Sequence, residues 1–220
     1  MRTFKIPYGN ENVSFNVPDN TEVIPVSMPE VSVPLDPDIE INHALDNPIG
    51  TKKIEQLVKP SNKVCIICDD VTRPTPVKQI LENLLKRLLS AGVSKKNIYI
   101  VFALGSHRYM TETEMIKRVG KEIFADYRVL NSEFKDPEKL IDMGYSKTGA
   151  KIFVSRVVMN SDIRIGIGNI VPHPAMGWSG GSKILYPGVT DEVTVTQFHI
   201  QQDWLKKTSL VWMNVIYASK

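Results

Sequence analysis

The sequence lacks long apolar segments and blocks of like charge, and both absences reduce the range of functions that it could have. A helix that spans a bilayer needs roughly 20 consecutive apolar residues, and no run in the 220 residues approaches that length. The opening MRTFKIPYGNENV also lacks the apolar region that a secretory signal carries. A net charge of +3 is too small to indicate a nucleic acid or a membrane surface as partner. We therefore expect a cytoplasmic protein whose partners are small molecules.

Cysteine is scarce, and its two occurrences form a single C-x-x-C, Cys65 and Cys68, inside the apolar run KVCIICDD. Such a run predicts a buried strand, in which positions three apart point to opposite faces, so the two sulfurs would not converge. Two thiols also fall short of a four-ligand zinc site. We expect both cysteines to act as small core residues rather than as a redox or metal site.

Two nucleotide-binding signatures are missing as well. The sequence contains no G-x-x-x-x-G-K-S/T phosphate loop, and Gly166-Ile167-Gly168 is followed by Val171 where the dinucleotide fingerprint needs a third glycine. Lys183 is therefore not the lysine of a P-loop, and the missing glycine fingerprint disfavours an ordinary nicotinamide-dependent oxidoreductase.

What is present is an alternation of strand and helix patterns. Apolar runs predict strands at 63–68, 97–104, 152–158 and 163–167, with a weaker one at 129–130. Helices are predicted at 41–46, 51–58 with Thr51 as its cap, 77–91, from Thr111 onward, 137–143 and 192–200. A strand, loop, helix and strand with crossovers of this length form a parallel pair.

The N-terminal region has a different pattern. Residues 1–17 predict a hairpin with its turn at 8–12. The segment that follows, up to Ile39, carries five prolines and is not expected to be helical. The fold class is therefore α/β, a Rossmann-like open sheet that is mostly parallel, with helices on both faces and a short N-terminal β-hairpin.

Chemically versatile side chains follow three of the predicted strands. In open parallel sheets, ligands bind outside the carboxyl ends of the strands, so these loops should meet at one edge. The residues concerned are Asp70, Thr72 and Arg73 on the first loop, His107 and Arg108 on the second, and His173 and Lys183 on the third.

Each residue type allows a functional and a structural interpretation. Arginine matches a carboxylate or phosphate bidentately, but Arg108 is as well explained by bracing its own loop. His107 and His173 could exchange protons near neutral pH. Lys183, after Ser179-Gly180-Gly181, could bind phosphate or form a covalent attachment, or belong to a tight structural turn. His199, between Phe198 and Ile200, is on residue types alone expected to be packed.

Several of these motifs, in this order, resemble the N-terminal domain of the nickel-dependent lactate racemase family over nearly the whole chain. The matching pieces are Asp70-Val71-Thr72-Arg73-Pro74-Thr75-Pro76, Gly105-Ser106-His107-Arg108, Pro172-His173-Pro174, Gly177-Trp178-Ser179-Gly180-Gly181-Ser182-Lys183, Pro187-Gly188-Val189 and His199.

The resemblance implies a cofactor, nickel-pincer nucleotide, which is a pyridinium-derived mononucleotide whose sulfur groups hold Ni. It implies that Lys183 carries this cofactor through a thioamide bond and that His199 is the protein ligand to nickel. His107 and His173 would be the acid/base pair, and Arg73 would orient the substrate carboxylate. The remaining residues assigned to the cofactor site are Asp70, Thr72, Ser179, Gly180 and Gly181.

The resemblance also sets expectations about the substrate and the partners. The substrate would be a 2-hydroxy acid, although Ser132 and Lys151 depart from the family pattern and suggest one other than lactate. Residues 1–220 would form the cofactor-bearing domain of a two-domain racemase-like protein, with the C-terminal domain absent from this chain. Proteins that build the cofactor would be further partners. The alternative is an anion- or nucleotide-binding module without activity of its own.

Overall fold

The structure is a computed structural model, and it describes residues 1–9, 11–26, 36–147, 149–173 and 177–205. The chain divides into two compact units, residues 1–35 and residues 36–220. Residues 27–35 of the proline-bearing segment lie outside the described residues, and so do residues 206–220.

The first unit contains the predicted hairpin. Strands β1 (Arg2–Tyr8) and β2 (Glu11–Val17) pair antiparallel, with Phe4 opposite Phe15. The rings of these two residues stack with their centroids 5.8 Å apart, on a face that alternation along both strands makes apolar.

The second unit holds the remaining elements, which alternate between helices and strands. In chain order they are α1 (Pro37–Asp46), α2 (Ile54–Leu57), β3 (Val64–Asp69), α3 (Val77–Ser90), β4 (Ile98–Ala103), α4 (Glu112–Val119), α5 (Lys121–Asp126), β5 (Arg128–Asn131), β6 (Leu140–Tyr145), β7 (Lys151–Ser155), α6 (Arg156–Met159), β8 (Ile163–Ile167), β9 (Pro172–His173), β10 (Gly177–Trp178) and α7 (Glu192–Leu205).

A four-stranded sheet in the order β5-β4-β3-β8 forms the centre of this unit, and every neighbouring pair in it is parallel. Its central strand β3 is buried along almost its whole length because apolar layers cover both faces. On one face Ile66 and Cys68 pack against the amphipathic helix α3; on the other, Cys65 and Ile67 pack against β7 and α6. The predicted α/β fold is confirmed.

The two cysteines therefore lie on opposite faces of β3, as the strand pattern predicts. Both thiols are free and buried. Burial raises the pKa of the Cys65 thiol to about 12 and raises that of Cys68 as well. Neither thiol is poised for redox chemistry or metal binding, because both require the thiolate.

Four element predictions are wrong in part. The expected helix at 137–143 is a single 3₁₀ turn at Pro137–Lys139 followed by strand β6, which pairs antiparallel with β7. The strand expected at 152–158 ends at Ser155, where α6 begins. Thr51 does not cap α2, whose first residue follows Lys53 without a side-chain cap. The segment before Ile39 is helical from Pro37, because proline suits the first turn of a helix and Asp36 caps it.

The parallel order places the carboxyl ends of β3, β4 and β8 at one edge of the sheet, with α7 beside them. Over the described ranges, none of the helices has the length and apolar character needed to cross a membrane.

Candidate functional site

The loops that leave β3, β4 and β8 meet, as expected, around a cleft that α7 also lines. The cleft is partly open to solvent and has a cavity volume of about 160 Å³. Nine of the ten predicted site residues line it: Asp70, Thr72, Arg73, His107, His173, Ser179, Gly180, Lys183 and His199.

His107 is held by the buried carboxylate of Asp70. Its Nδ1 lies 2.7 Å from Asp70 Oδ2, while Asp70 Oδ1 accepts from the hydroxyl of Thr72 at 2.6 Å and from the backbone N–H of Thr72 at 3.0 Å. Hydrogen bonding to Asp70 raises the pKa of His107. Burial would raise the pKa of Asp70, but the bonds from His107 and Thr72 outweigh it and lower that pKa. The imidazole is thereby oriented with Nε2 left for proton exchange.

Arg73 lies in the loop after β3, next to Thr72, and lines the cleft. Its Nη1 donates to Thr72 Oγ1 at 3.1 Å, and within the described ranges no carboxylate forms an ion pair with it. A half-buried guanidinium that forms no ion pair among the described residues is suited to bind a carboxylate or phosphate of a ligand.

Arg108 does not share this arrangement. Its guanidinium forms a bidentate pair with Glu114, with N–O distances of 2.9 and 2.6 Å. Glu114 also completes the capping box of α4 with Thr111. The structural interpretation of Arg108, as a brace for its own loop, is the one that its contacts support.

The third loop folds into a small hairpin followed by a turn. Strand β9, which ends at His173, pairs with β10, and a 3₁₀ turn at Gly181–Ile184 carries Lys183. The Lys183 Nζ donates to the carbonyl of Trp178 at 2.9 Å. Burial, and then the charge of Arg73, lower the pKa of Lys183. Burial, followed by the charges of Lys183, His199 and Arg73, lowers the pKa of His173.

His199 projects from α7 into the cleft. Its Nδ1 lies 2.7 Å from the carbonyl oxygen of Val195. A carbonyl only accepts, so Nδ1 carries a proton; in the neutral ring the lone pair then lies on Nε2, which is the arrangement typical of a metal-ligating histidine. Its ring meets Phe198 edge-on with the centroids 5.7 Å apart, but the residue is exposed rather than packed in the core.

One glycine of the third loop is required by the backbone, whatever else it contacts. A Cβ on Gly180 would lie 2.6 Å from the carbonyl oxygen of Asn169, so only glycine allows that approach. Gly181 does not line the cleft but a neighbouring depression with Gly166 and Leu185.

Sequence reasoning missed Asp69, Asn169 and Phe198, which also line the cleft. Asp69 is the last residue of β3, and nothing in the sequence indicates that its side chain reaches the segment after β8. Phe198 is an aromatic residue of a predicted helix, a type that usually packs in a core, so its residue type gave no indication of the cleft.

The residues of the cleft can be tested against a nickel-bearing nucleotide. Across the described residues, no group of three or more histidine, cysteine or acidic side chains could hold a metal ion. A bare Ni²⁺ held only by protein is thus not accommodated. A metal whose other ligands belong to an organic group, with the Nε2 of His199 as the protein's donor, does fit this set of donors.

The fold is α/β, and the cleft at the carboxyl edge of its sheet is lined by three histidines together with Arg73 and Lys183. The chain belongs to the lactate racemase N-terminal domain family, whose family model matches residues 8–209. The resemblance noted from the motifs is confirmed.

Individual relatives agree with this assignment. The chain is 28% identical to the lactate racemase of Thermoanaerobacterium thermosaccharolyticum over 204 residues, which are 92% of this chain and 48% of that protein. It is 31% identical to the lactate racemase of Lactiplantibacillus plantarum over 159 residues, which are 72% of this chain and 37% of that protein. The chain thus spans about half the length, or less, of these relatives.

Solved structures give the same result. The lactate racemase apoprotein from Thermoanaerobacterium thermosaccharolyticum matches with a TM-score of 0.73 at 27% identity, over 87% of this chain and 44% of that one. A Thermotoga maritima protein matches with a TM-score of 0.59 at 26% identity, over 73% of this chain and 42% of that one.

Proposed function

We propose that residues 1–220 form the cofactor-bearing N-terminal domain of a two-domain racemase or epimerase that acts on a lactate-like 2-hydroxy acid by hydride transfer to a tethered nickel-pincer nucleotide. The observation that supports this most is the convergence of His107, His173, Arg73, Lys183 and His199 on one cleft, in a chain whose relatives are named lactate racemases.

The two histidines are suited to complementary proton transfers. Asp70 favours the imidazolium of His107, whereas burial and neighbouring cations favour the neutral ring of His173. Groups of one type whose pKa values are pushed apart make a natural acid and base. The neutral histidine would take the hydroxyl proton of one enantiomer, and the other would return a proton when the opposite enantiomer forms.

Arg73 would position the substrate. Its guanidinium would bind the carboxylate of the 2-hydroxy acid and fix the α-carbon between the two histidines. Thr72, which accepts from Arg73 and donates to Asp70, links the orientation of this arginine to that of His107.

Lys183 and His199 would hold the cofactor. When bound, the nickel-pincer nucleotide would supply a hydride acceptor and donor. The lowered pKa of Lys183 keeps more of its amine neutral and therefore nucleophilic, as bond formation to the cofactor requires. Asp70, Thr72, Ser179 and Gly180 would surround the nucleotide, and Gly181 would support the turn that carries Lys183.

The partners of this domain would be the 2-hydroxy acid, a C-terminal domain that closes the cleft, and the proteins that synthesise and load the cofactor. A relative of this kind has about twice the length of the present chain.

The deciding experiment is co-expression with the cofactor-building proteins, followed by intact mass and metal analysis. A mass increase that is lost in Lys183→Ala, and nickel that is lost in His199→Ala, would support the proposal. Unmodified protein, under conditions that load a full-length relative, would favour the anion-binding module instead. A panel of chiral 2-hydroxy acids, followed by loss of optical purity, would then identify the substrate.

A further inference from the structure

The carboxylate of Asp69 joins two of the loops that form the cleft. Its Oδ2 accepts from the hydroxyl of Thr75 at 2.6 Å and from the backbone N–H of Asn169 at 2.9 Å. Thr75 lies in the loop that carries Arg73, and Asn169 lies in the segment after β8. One oxygen therefore ties together chain segments that are 100 residues apart in sequence.

Asn169 is in turn hydrogen-bonded to Ser179, the residue that follows β10. Its carbonyl accepts from the Ser179 hydroxyl at 3.2 Å, and the backbone N–H of Ser179 donates to the carbonyl of Val171 at 2.8 Å. Gly180 lies against the same Asn169 carbonyl, and the backbone N–H of Lys183 donates to the carbonyl of Gly180 at 3.3 Å. A continuous series of contacts thus runs from Asp69 to Lys183.

We propose that Asp69 is a positioning residue: through Asn169 its carboxylate fixes the hairpin and the turn after it, and so sets where His173 and Lys183 lie relative to Arg73. The functions of His173 and Lys183 rest on the proposed function. The positioning itself does not, because every contact in the series belongs to this chain alone.

The test is Asp69→Ala in the full chain without cofactor. Loss of a hydrogen bond to a charged acceptor should speed exchange of the Asn169 and Ser179 amides roughly tenfold or more, while amides of β4 keep their rates. Exchange would be followed by NMR. The pKa of Lys183, measured from the pH dependence of acylation at that residue by peptide mass spectrometry, should rise towards that of ordinary lysine.

Asp162→Ala is a matched control. Asp162 Oδ2 accepts from the backbone N–H of Lys63 at 2.8 Å, so it joins the same two strands, β3 and β8, at the end away from the cleft. This variant should leave the Asn169 and Ser179 amides and the pKa of Lys183 unchanged. An equal increase in exchange in both variants would mean that Asp69 acts only through general stability, and would overturn the proposal.

Asp69→Asn provides a second test, and it decides the question if the alanine variant does not fold. The amide oxygen keeps an acceptor without the charge, so the Asn169 and Ser179 amides should exchange faster than in the parent chain but more slowly than with alanine. Rates and a Lys183 pKa equal to those of the parent chain would overturn the proposal. Since all these measurements use the chain without cofactor, a failure to load nickel would leave them unaffected.

Discussion

His107 and His173 are residues of one type, yet their surroundings move their pKa values in opposite directions. The hydrogen bond to Asp70 accounts for the increase at His107, and burial, followed by the positive charges of Lys183 and Arg73, accounts for the decrease at His173. Their difference arises from contacts made across the fold, not from the residues beside them in sequence.

The contribution of Asp70 can be measured directly. Asp70→Asn removes the negative charge that stabilises the imidazolium, so the pKa of His107 should fall towards the ordinary histidine value. NMR titration of the His107 ring protons would show it. Asp142→Asn, which removes an exposed carboxylate paired with Lys151, should leave that pKa unchanged; a fall of the same size there would contradict the assignment.

The same pair should make stability depend on pH. A raised folded pKa at His107 adds stability that is fully present below about pH 6.5, the value for an unfolded histidine, and is lost as the pH rises through the folded pKa. The lowered pKa of Asp70 adds stability that is lost only in acid. The difference in unfolding free energy between the parent chain and His107→Gln should therefore be largest between about pH 4 and 6.5.

Denaturant unfolding at pH 6 and pH 9 would test this dependence. The effect should be small because half of the His107 side chain is exposed to solvent. A difference that grew between pH 6 and pH 9 would contradict the expected sign.

At the scale of single residues, the sequence predicted which residues line the cleft but not which atoms their side chains contact. Loops at the carboxyl ends of parallel strands must converge, and this alone brought Arg73, His107, His173 and Lys183 together. The bond from Asp69 to Asn169 spans 100 residues, and no local pattern encodes which amide a carboxylate will meet at that separation.

Helix α4 illustrates how a local signal determines an element. Thr111 and Glu114 form a complete capping box, with the Thr111 side chain on the N–H of Glu114 and the Glu114 side chain on the N–H of Thr111. Arg108, directly after His107, binds the same glutamate. The cap of α4 therefore also anchors the loop of a proposed catalytic residue.

Removal of this cap should be measurable. Thr111→Ala should lower the unfolding free energy by about 1 kcal/mol, seen as a lower thermal midpoint. Thr113→Ala in the same helix removes no cap and improves helix propensity, so it should not destabilise. If both variants behaved alike, the cap would not contribute as described.

At the scale of elements, predictions were right where a local sequence pattern determines the element. They were wrong where pairing with a distant strand determines it. Strands β3, β4 and β8 are apolar runs bounded by polar loops and were predicted within a residue or two. Strand β6 follows Pro137-Glu138-Lys139, a typical helix start, and becomes a strand because β7 offers it a partner. Pairing with a distant segment overrides local preference, and sequence alone does not identify the partner.

At the scale of the whole molecule, the cleft is open and the chain covers 48% of a curated relative. We expect the cofactor-loaded chain to racemise a 2-hydroxy acid far more slowly than a fusion of it to the second half of the Thermoanaerobacterium thermosaccharolyticum protein. The reason is that an open cleft admits water and leaves the substrate less constrained.

Loss of optical purity, measured for both proteins at equal cofactor loading, would check this. Equal rates would show that the second half adds nothing to the reaction. A fusion with Lys183→Ala serves as the control and should be inactive.

The two carboxylates that join β3 to β8, Asp69 and Asp162, have a consequence for the timing of folding. Each spans about 100 residues, and contacts of such separation form late because loop closure must precede them. A nascent chain that has already paired β3 with β4 still lacks the hairpin, the turn of Lys183 and α7. The chain therefore acquires its cleft only when β8 docks, so a nascent chain that ends before β8 should lack the cleft.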